Sequence, residues 1–564
     1  MTNVTAADQQ ILENAPKGHP KGLWVLFGTE MWERFNFYGM RALLTLFLVN
    51  ALAFKESDSS IVYGGFLGLS YLTPMLGGFI ADRFLGNRNC ILLGGSTMAI
   101  GQLLLFASAT VYVSNIDTAR MIMWIALGVI ILGNGFFKPN ISSMVGQLYP
   151  KSDNRLDSAF TIFYMGINLG AFLGITICPI LGDVKVNEIR DVTAFKWGFL
   201  AAGAAMALGT IIFFFLKNKY VVSPEGKAVG AKPTFSGNVN DRGESEKAHF
   251  TSQAMYGALI GLLVLVAGFR YLVGLNWIYS FIYSAGLTLA GFILTDKSLT
   301  RVERQRIIVL YFVAFFVIFF WACFEQAGSS LTFIADNQTD RRLFGWDMPP
   351  SFIQNANSLF IIIFALPFSF LWLWLNKRRM EPISPVKQSI GLLLLALGFL
   401  IIAFQVKGLG TNEKIGVIWL IVMYLFHTLG ELCLSPIGLS LVSKLAPIRF
   451  SSLLMGVWFL ANAAGYALAG TLGALLPPTG DKFTTAAESG INLQGVLDGT
   501  VEKTPGIIAK LDELKISSSY PTFAGFTIHN LFEFFMVFVI LPGVAGILLF
   551  LISGKLKKMM HGVR

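Results

Sequence analysis

Fourteen times between residues 24 and 553 the sequence runs through about 20 or more predominantly apolar residues, the length of helix that crosses a bilayer's hydrocarbon core. The runs fall at 24–52, 61–81, 89–112, 121–148, 158–181, 196–216, 253–272, 275–295, 307–333, 352–376, 386–405, 415–443, 452–476 and 527–553. No other feature constrains this chain so strongly. In lipid, backbone polar groups must be satisfied within the spanning structure, so each run is expected to be a helix. Only 13% of the 564 residues are charged, against 54% hydrophobic; a soluble domain carries about twice that charge. The expected fold class is therefore an all-α membrane protein with fourteen transmembrane helices.

An even number of spans puts both chain ends on one side. The opening MTNVTAADQQILENAPKGHPKG lacks the apolar stretch and cleavage site of a signal peptide, so the first span is expected to direct insertion. Lys and Arg in the loops after helices 2 and 4, and in the terminal GKLKKMMHGVR, point to cytoplasmic termini in a multi-pass protein of the cell inner membrane. The predicted organisation is a cytoplasmic tail (1–23), a six-helix bundle (24–216), a segment with two extra helices (217–306), a second six-helix bundle (307–553) and a cytoplasmic tail (554–564). The Gly-, Ser- and Lys-rich stretch 217–251 reads as a flexible linker. A long polar stretch, 477–525, reads as an outer loop with short surface helices.

Several functions are disfavoured. The net charge of +10 suits loops facing anionic lipid, and no basic patch lies on a foldable soluble segment, so no nucleic-acid partner is expected. Cys90, Cys178, Cys323 and Cys433 fall inside apolar runs without metal-ligand spacing and read as packing residues; no metal or other cofactor is expected. The histidines form no HExxH motif and no GxSxG is present, so an enzyme is not expected.

The stretch TEMWERFNFYGMR (29–41) places Glu30, Glu33, Arg34 and Arg41 inside the first run. A charge at the bilayer centre costs roughly 2.5–3.5 kcal/mol even on the lenient insertion scale. At 100° per residue these four, with Phe37 and Tyr38, share one face about 140° wide. Such a face must meet a cavity or opposite charges, and Lys138, Glu325 and Glu431 in other runs supply them. Arg41 and Glu325 lie about 26 and 27 Å along their helices, which predicts a pair at matching depth near the outer end. Glu30 lies deeper and inward.

GGFIADRFLGNR (77–88) resembles the loop between helices 2 and 3 of the major facilitator superfamily. That resemblance makes helices 7 and 8 an insertion between two six-helix bundles. Glu30-Met-Trp-Glu33-Arg34-Phe35-Asn36-Phe37-Tyr38-Gly39 resembles the ExxERFxYYG motif of the proton-dependent oligopeptide transporter (POT or PTR) family. GNGFFKPNISSMVGQLY (133–149), FYMGINLGA (163–171), GELCLSPIGLSLVSKLAP (430–447) and MGVWFLANAAG (455–465) are similar to its other signatures, in the same order.

The resemblance implies a proton-coupled symporter that imports di- and tripeptides by alternating access, with small peptides, protons and the bilayer as its partners. It implies that Arg34, Lys138 and Tyr38 hold the peptide carboxylate. Asn168, Asn357 and Glu431 would hold its amine, and Tyr71, Trp321, Trp458 and Phe459 would line side-chain pockets. Glu30, Glu33 and Arg34 would form the proton-coupling cluster, with Arg41 and Glu325 as the outer gate. The chemistry is suited to this, since a zwitterion needs a forked cationic seat and an anionic one. The same scaffold carrying another solute, such as nitrate or a peptide-like drug, is the alternative. Two departures stand out. Phe37 replaces the motif's first Tyr, and Gly64 stands where animal members carry a histidine. His427, one turn before Glu431, reads either as a proton relay or as a packing residue.

Overall fold

The computed structural model describes residues 18–149, 155–186, 189–224, 226–232, 250–410, 413–447 and 450–563. Most of the predicted N-terminal tail, loop residues Lys151 and Arg449, and the Asp82 side chain of the 77–88 motif lie outside the described part. Each predicted apolar run contains a helix. The first six are α1 (Lys21–Asn50), α2 (Glu56–Ile80), α3 (Asn87–Val111), α4 (Ile116–Gln147), α5 (Leu156–Gly182) and α6 (Phe195–Tyr220). The next four are α7 (Ser252–Tyr271), α8 (Trp277–Leu294), α9 (Arg301–Phe324) and the short α10 (Ser330–Asn337). Then come α11 (Asn355–Lys377), α12 (Ser384–Val406), α13 (Val417–Leu445) and α14 (Ser451–Gly473). Three short helices, α15 (Gly480–Glu488), α16 (Leu493–Asp498) and α17 (Pro505–Glu513), precede the last span, α18 (Leu531–Met559).

Among the described residues thirteen helical stretches are long and apolar enough to cross a membrane. The 30-residue α1 is not among them, since it carries Glu30, Glu33, Arg34 and Arg41 in its middle. Polar residues at the ends fix where helices start. The side chains of Asn115, Thr251, Asn276 and Asn530 each accept a backbone N–H of the first turn, and Thr300 with Glu303 forms a capping box. α2 begins five residues before its predicted start because Glu56 and Asp58 suit a first helical turn.

The chain divides into two compact units, and the division cuts through α1 and α2. Residues 1–47 and 70–238 form the first; 48–69 and 239–564 form the second. In the first, small residues set helix spacing. A Cβ on Gly77 would collide with the Gly135 carbonyl, and one on Gly94 would lie 2.6 Å from the Gly133 oxygen, so α4 lies tightly against both α2 and α3. The start of the predicted flexible linker is in fact docked. α6 runs on to Tyr220, and residues 221–224 and 226–232 fold back on the first unit, with Val229 buried in its core. Arg88 holds this strap. Its Nε donates to Val229 O at 2.5 Å, and its guanidinium also reaches Lys217 O, Val221 O and the Asn218 side chain. A cation at the carbonyl end of α6 satisfies acceptors the helix leaves open. Arg88→Ala strands those carbonyls, and charged hydrogen bonds contribute about 1.5–3 kcal/mol each. The variant is expected to unfold in detergent at a midpoint several degrees below the parent, read by a thermal melt.

In the second unit the two inserted helices differ. α7 buries none of its residues and shows apolar side chains all round, a surface that only lipid satisfies. α8 is anchored, because the Tyr279 hydroxyl donates to Ile61 O at 2.9 Å. The predicted run 307–333 is not one helix. α9 stops at Phe324, Glu325–Gly328 form a 3-10 turn, and α10 follows. Gly328 lies against the Tyr63 ring with no room for a Cβ, so the helix gives way where α2 presses on it. The stretch 477–525 is a folded module. Ala486, Ile491, Leu493, Val496, Leu497, Leu511 and Ile516 make a core drawn entirely from the loop itself.

Candidate functional site

Two polar clusters are built into the membrane-spanning part, one in each unit. In the first unit α1 carries Glu30, Glu33 and Arg34, all nearly or fully buried. Arg34 Nε lies 2.9 Å from Glu30 Oε1 and 2.5 Å from Glu33 Oε2. One guanidinium is therefore shared by two carboxylates one helical turn apart, as the wheel geometry required. Saturation is incomplete. Arg34 Nη2, Glu30 Oε2 and Glu33 Oε1 are buried without a hydrogen-bond partner among the described residues. An unmade hydrogen bond on a buried group costs about 1–3 kcal/mol, more when it is charged, so these atoms are open to a ligand or a proton.

Around that cluster lie further predicted residues. Lys138, on α4, stands over the Tyr71 ring at 3.3 Å from its centroid. Tyr71, expected as a pocket wall, thus also steadies a cation. Arg41 stacks over Tyr38 at 4.7 Å, and Tyr38 meets Phe37 edge to face. Phe37 takes up an aromatic packing position below the Arg34 guanidinium, 5.9 Å away. Asn168, on α5, turns its amide nitrogen back to Tyr164 O at 2.9 Å.

In the second unit Asn357 on α11 joins Glu431 and Thr428 on α13. Its amide nitrogen donates to Glu431 Oε2 and to Thr428 Oγ1, each at 3.0 Å. Trp321 packs against Tyr466 and Phe324. Trp458 is buried against Gly438, which leaves it no Cβ in the way, and its neighbour Phe459 is half-buried. Glu325 accepts a hydrogen bond from the Tyr63 hydroxyl at 3.3 Å, with both residues buried.

The sequence reading did not single out Tyr63 or Thr428. Thr428 precedes Glu431 by three residues and so shares its helix face, a signal that was available. Tyr63 carried none, because its role comes from tertiary packing alone. His427 takes the packing role of its two readings. Its ring lies among Phe399, Phe324 and Tyr424, both nitrogens lack partners among the described residues, and it faces Gly398 of α12. The adjacent Thr428, not His427, reaches Asn357.

Gly64 has a steric explanation. A Cβ there would lie 2.6 Å from Gly470 Cα and 2.8 Å from the Tyr279 hydroxyl. The inserted helix α8 occupies the space that a side chain at position 64 would need.

Buried, partly unpartnered charges within many apolar helices mark a solute or ion pathway, and so define a membrane carrier. The comparisons name the kind. Residues 88–484 match the POT family, and the chain belongs to it. A relative from Bacillus subtilis (strain 168), described as the uncharacterized transporter YclF, is 34% identical over 510 residues, covering 87% of this chain and 96% of the relative. The peptide transporter YePEPT of Yersinia enterocolitica is 33% identical, covering 81% and 88%. A crystal structure of a peptide transporter POT in complex with sulfate matches with a TM-score of 0.71 at 28% identity, over 99% of this chain and all of that one. The fold is that of the major facilitator superfamily, with two inserted helices. The family and these relatives are transporters, and the chain is a multi-pass membrane protein.

Proposed function

We propose that the protein is a proton-coupled symporter that imports di- and tripeptides by alternating access and catalyses no chemical reaction. Both termini lie in the cytoplasm and the membrane is the cell inner membrane. Its architecture is a bundle 24–216, extra helices within 217–306 and a bundle 307–553. The observation that carries the reading is the Arg34 cluster, a forked cation whose Nη2 is buried without a partner beside two carboxylates with unpartnered oxygens. Arg34, with Lys138 and Tyr38, takes the peptide carboxylate. Glu431, with Asn357 and Asn168, takes the amine. Tyr71, Trp321, Trp458 and Phe459 contact side chains without reading their chemistry. The relatives named as peptide transporters and a POT structure in complex with a thioalcohol-conjugated peptide support the substrate class.

Coupling follows from competition. When a substrate carboxylate engages Arg34, Glu30 or Glu33 loses its counter-charge and takes a proton, so peptide and proton move together. Arg41 and Glu325 form the outer gate. The test is uptake of a labelled dipeptide into proteoliposomes with and without an inward proton gradient. A potential of 100 mV contributes about 2.3 kcal/mol per proton moved, enough for clear accumulation. Glu431→Gln is expected to raise the KM for dipeptide at least about tenfold, a loss of roughly 1.4 kcal/mol of amine recognition. Equilibration without accumulation would sink coupling, and no dipeptide uptake would sink the substrate class.

A further inference from the structure

The start of α2 carries two adjacent opposite charges, Lys55 and Glu56, and both are matched by the folded module 477–525. Lys55 Nζ lies 2.7 Å from Asp512 Oδ1 on α17, and Glu56 Oε1 lies 3.0 Å from Lys482 Nζ on α15. The two anchors sit on different helices of the module, and its separate core fixes them relative to one another. A rigid piece engaging a plus–minus pair with its own minus–plus pair is held in one register, because a slip brings like charges together.

The inner contact is the stronger. Glu56 and Lys482 side chains are 16% and 23% exposed, whereas Lys55 and Asp512 are 36% and 57% exposed and largely screened by water. Burial works against the Lys482 charge, yet Glu56 and Asp481 outweigh it and hold the ammonium protonated above the usual lysine range. Asp481 is itself steadied, by the Thr479 hydroxyl and by Lys482 at 3.2 Å. About one and two turns further along, α2 is tied to the segment after α9, through Ser60 to Ser329 at 3.1 Å and Tyr63 to Glu325 at 3.3 Å.

We propose that the module 477–525 is a latch. It clamps the first turns of α2 through Glu56–Lys482 and Lys55–Asp512, and must release them for the gate around Glu325 to open. The proposal rests on the alternating-access reading. The loop then limits how often the gate opens, and the gating helix is restrained by a domain that touches no substrate.

Two measurements on the full-length protein test it. Hydrogen exchange of residues 55–63 in lipid nanodiscs needs no substrate. Lys482→Glu is expected to speed their exchange about tenfold, as loss of roughly 1.4 kcal/mol of restraint does, whereas Lys482→Arg, which keeps the positive charge facing Glu56 and Asp481, is expected to stay within about twofold of the parent. Unchanged exchange in Lys482→Glu, or an equal rise in Lys482→Arg, overturns the latch. In proteoliposomes, Lys55→Cys/Asp512→Cys bridged by a short, reducible bis-thiosulfonate is expected to lose at least about nine-tenths of dipeptide uptake and to regain it on reduction; the four native cysteines are buried. Full uptake while bridged also overturns it. If the parent protein takes up no dipeptide, the functional reading fails, and the exchange experiment still decides the latch.

Discussion

Arg34→Ala is expected to abolish dipeptide uptake, lowering the initial rate at least about a hundredfold, or roughly 2.7 kcal/mol in transition-state terms. Two separate losses produce it. The substrate carboxylate loses its forked donor, and Glu30 and Glu33, buried beside the guanidinium, lose their counter-charge. Breaking a buried pair by removing one partner costs about 3–5 kcal/mol in most proteins. Arg34→Lys separates the losses. It retains the charge but not the fork, so protein yield is expected to recover fully while uptake recovers only in part. Glu30→Gln adds the coupling test. Binding of dipeptide should persist while accumulation against a gradient weakens, and proton-driven accumulation that survives in the double variant Glu30→Gln/Glu33→Gln would refute the competition mechanism.

Gly64→His is expected to be as severe, and for packing reasons alone. Overfilling a tight core costs about 1–3 kcal/mol when neighbours can shift, but the atoms 2.6 and 2.7 Å from a Cβ at position 64 are backbone atoms of Gly470. They move only if α2 and α14 separate. Folded protein recovered from membranes should fall at least about tenfold, by size-exclusion chromatography in detergent. Gly65→Ala is the control, since a Cβ there meets only ordinary contacts of 3.6 Å or more. Equal losses in both variants would show that the crossing is not the cause. Restoring the histidine found in animal members therefore adds no proton site here.

Much of the fold was legible because the bilayer leaves a chain few choices. Thirteen spans could be read from apolar length, and the Glu30–Glu33–Arg34 cluster from helical spacing, since one turn of helix puts those side chains together whatever surrounds them. What could not be read depends on contacts distant in sequence. α9 ends at Phe324, just before Gly328, and the close approach of Tyr63 to that glycine comes from a residue 265 positions earlier. Nothing in the Gly- and Ser-containing stretch after Tyr220 marks Val221 and Val229 as docked, because their acceptors are met by Arg88, more than a hundred residues earlier. The 477–525 stretch was read as short surface helices, which it contains, but its private core emerges only when those helices pack. Thr428 could have been read from spacing and was not.

The connections around α2 bear on how the chain is made. Lys55 and Asp512 are 457 positions apart, Glu56 and Asn337 are 281 apart, and Tyr63 and Glu325 are 262 apart. A ribosome supplies about 5–20 residues per second, so the first turns of α2 wait tens of seconds in the membrane before their last partners exist. During that interval Glu56 has no Lys482 to neutralise it, and only completion of nearly the whole chain closes the structure there. A chain that stops before residue 482 therefore leaves Glu56 without its Lys482 counter-charge.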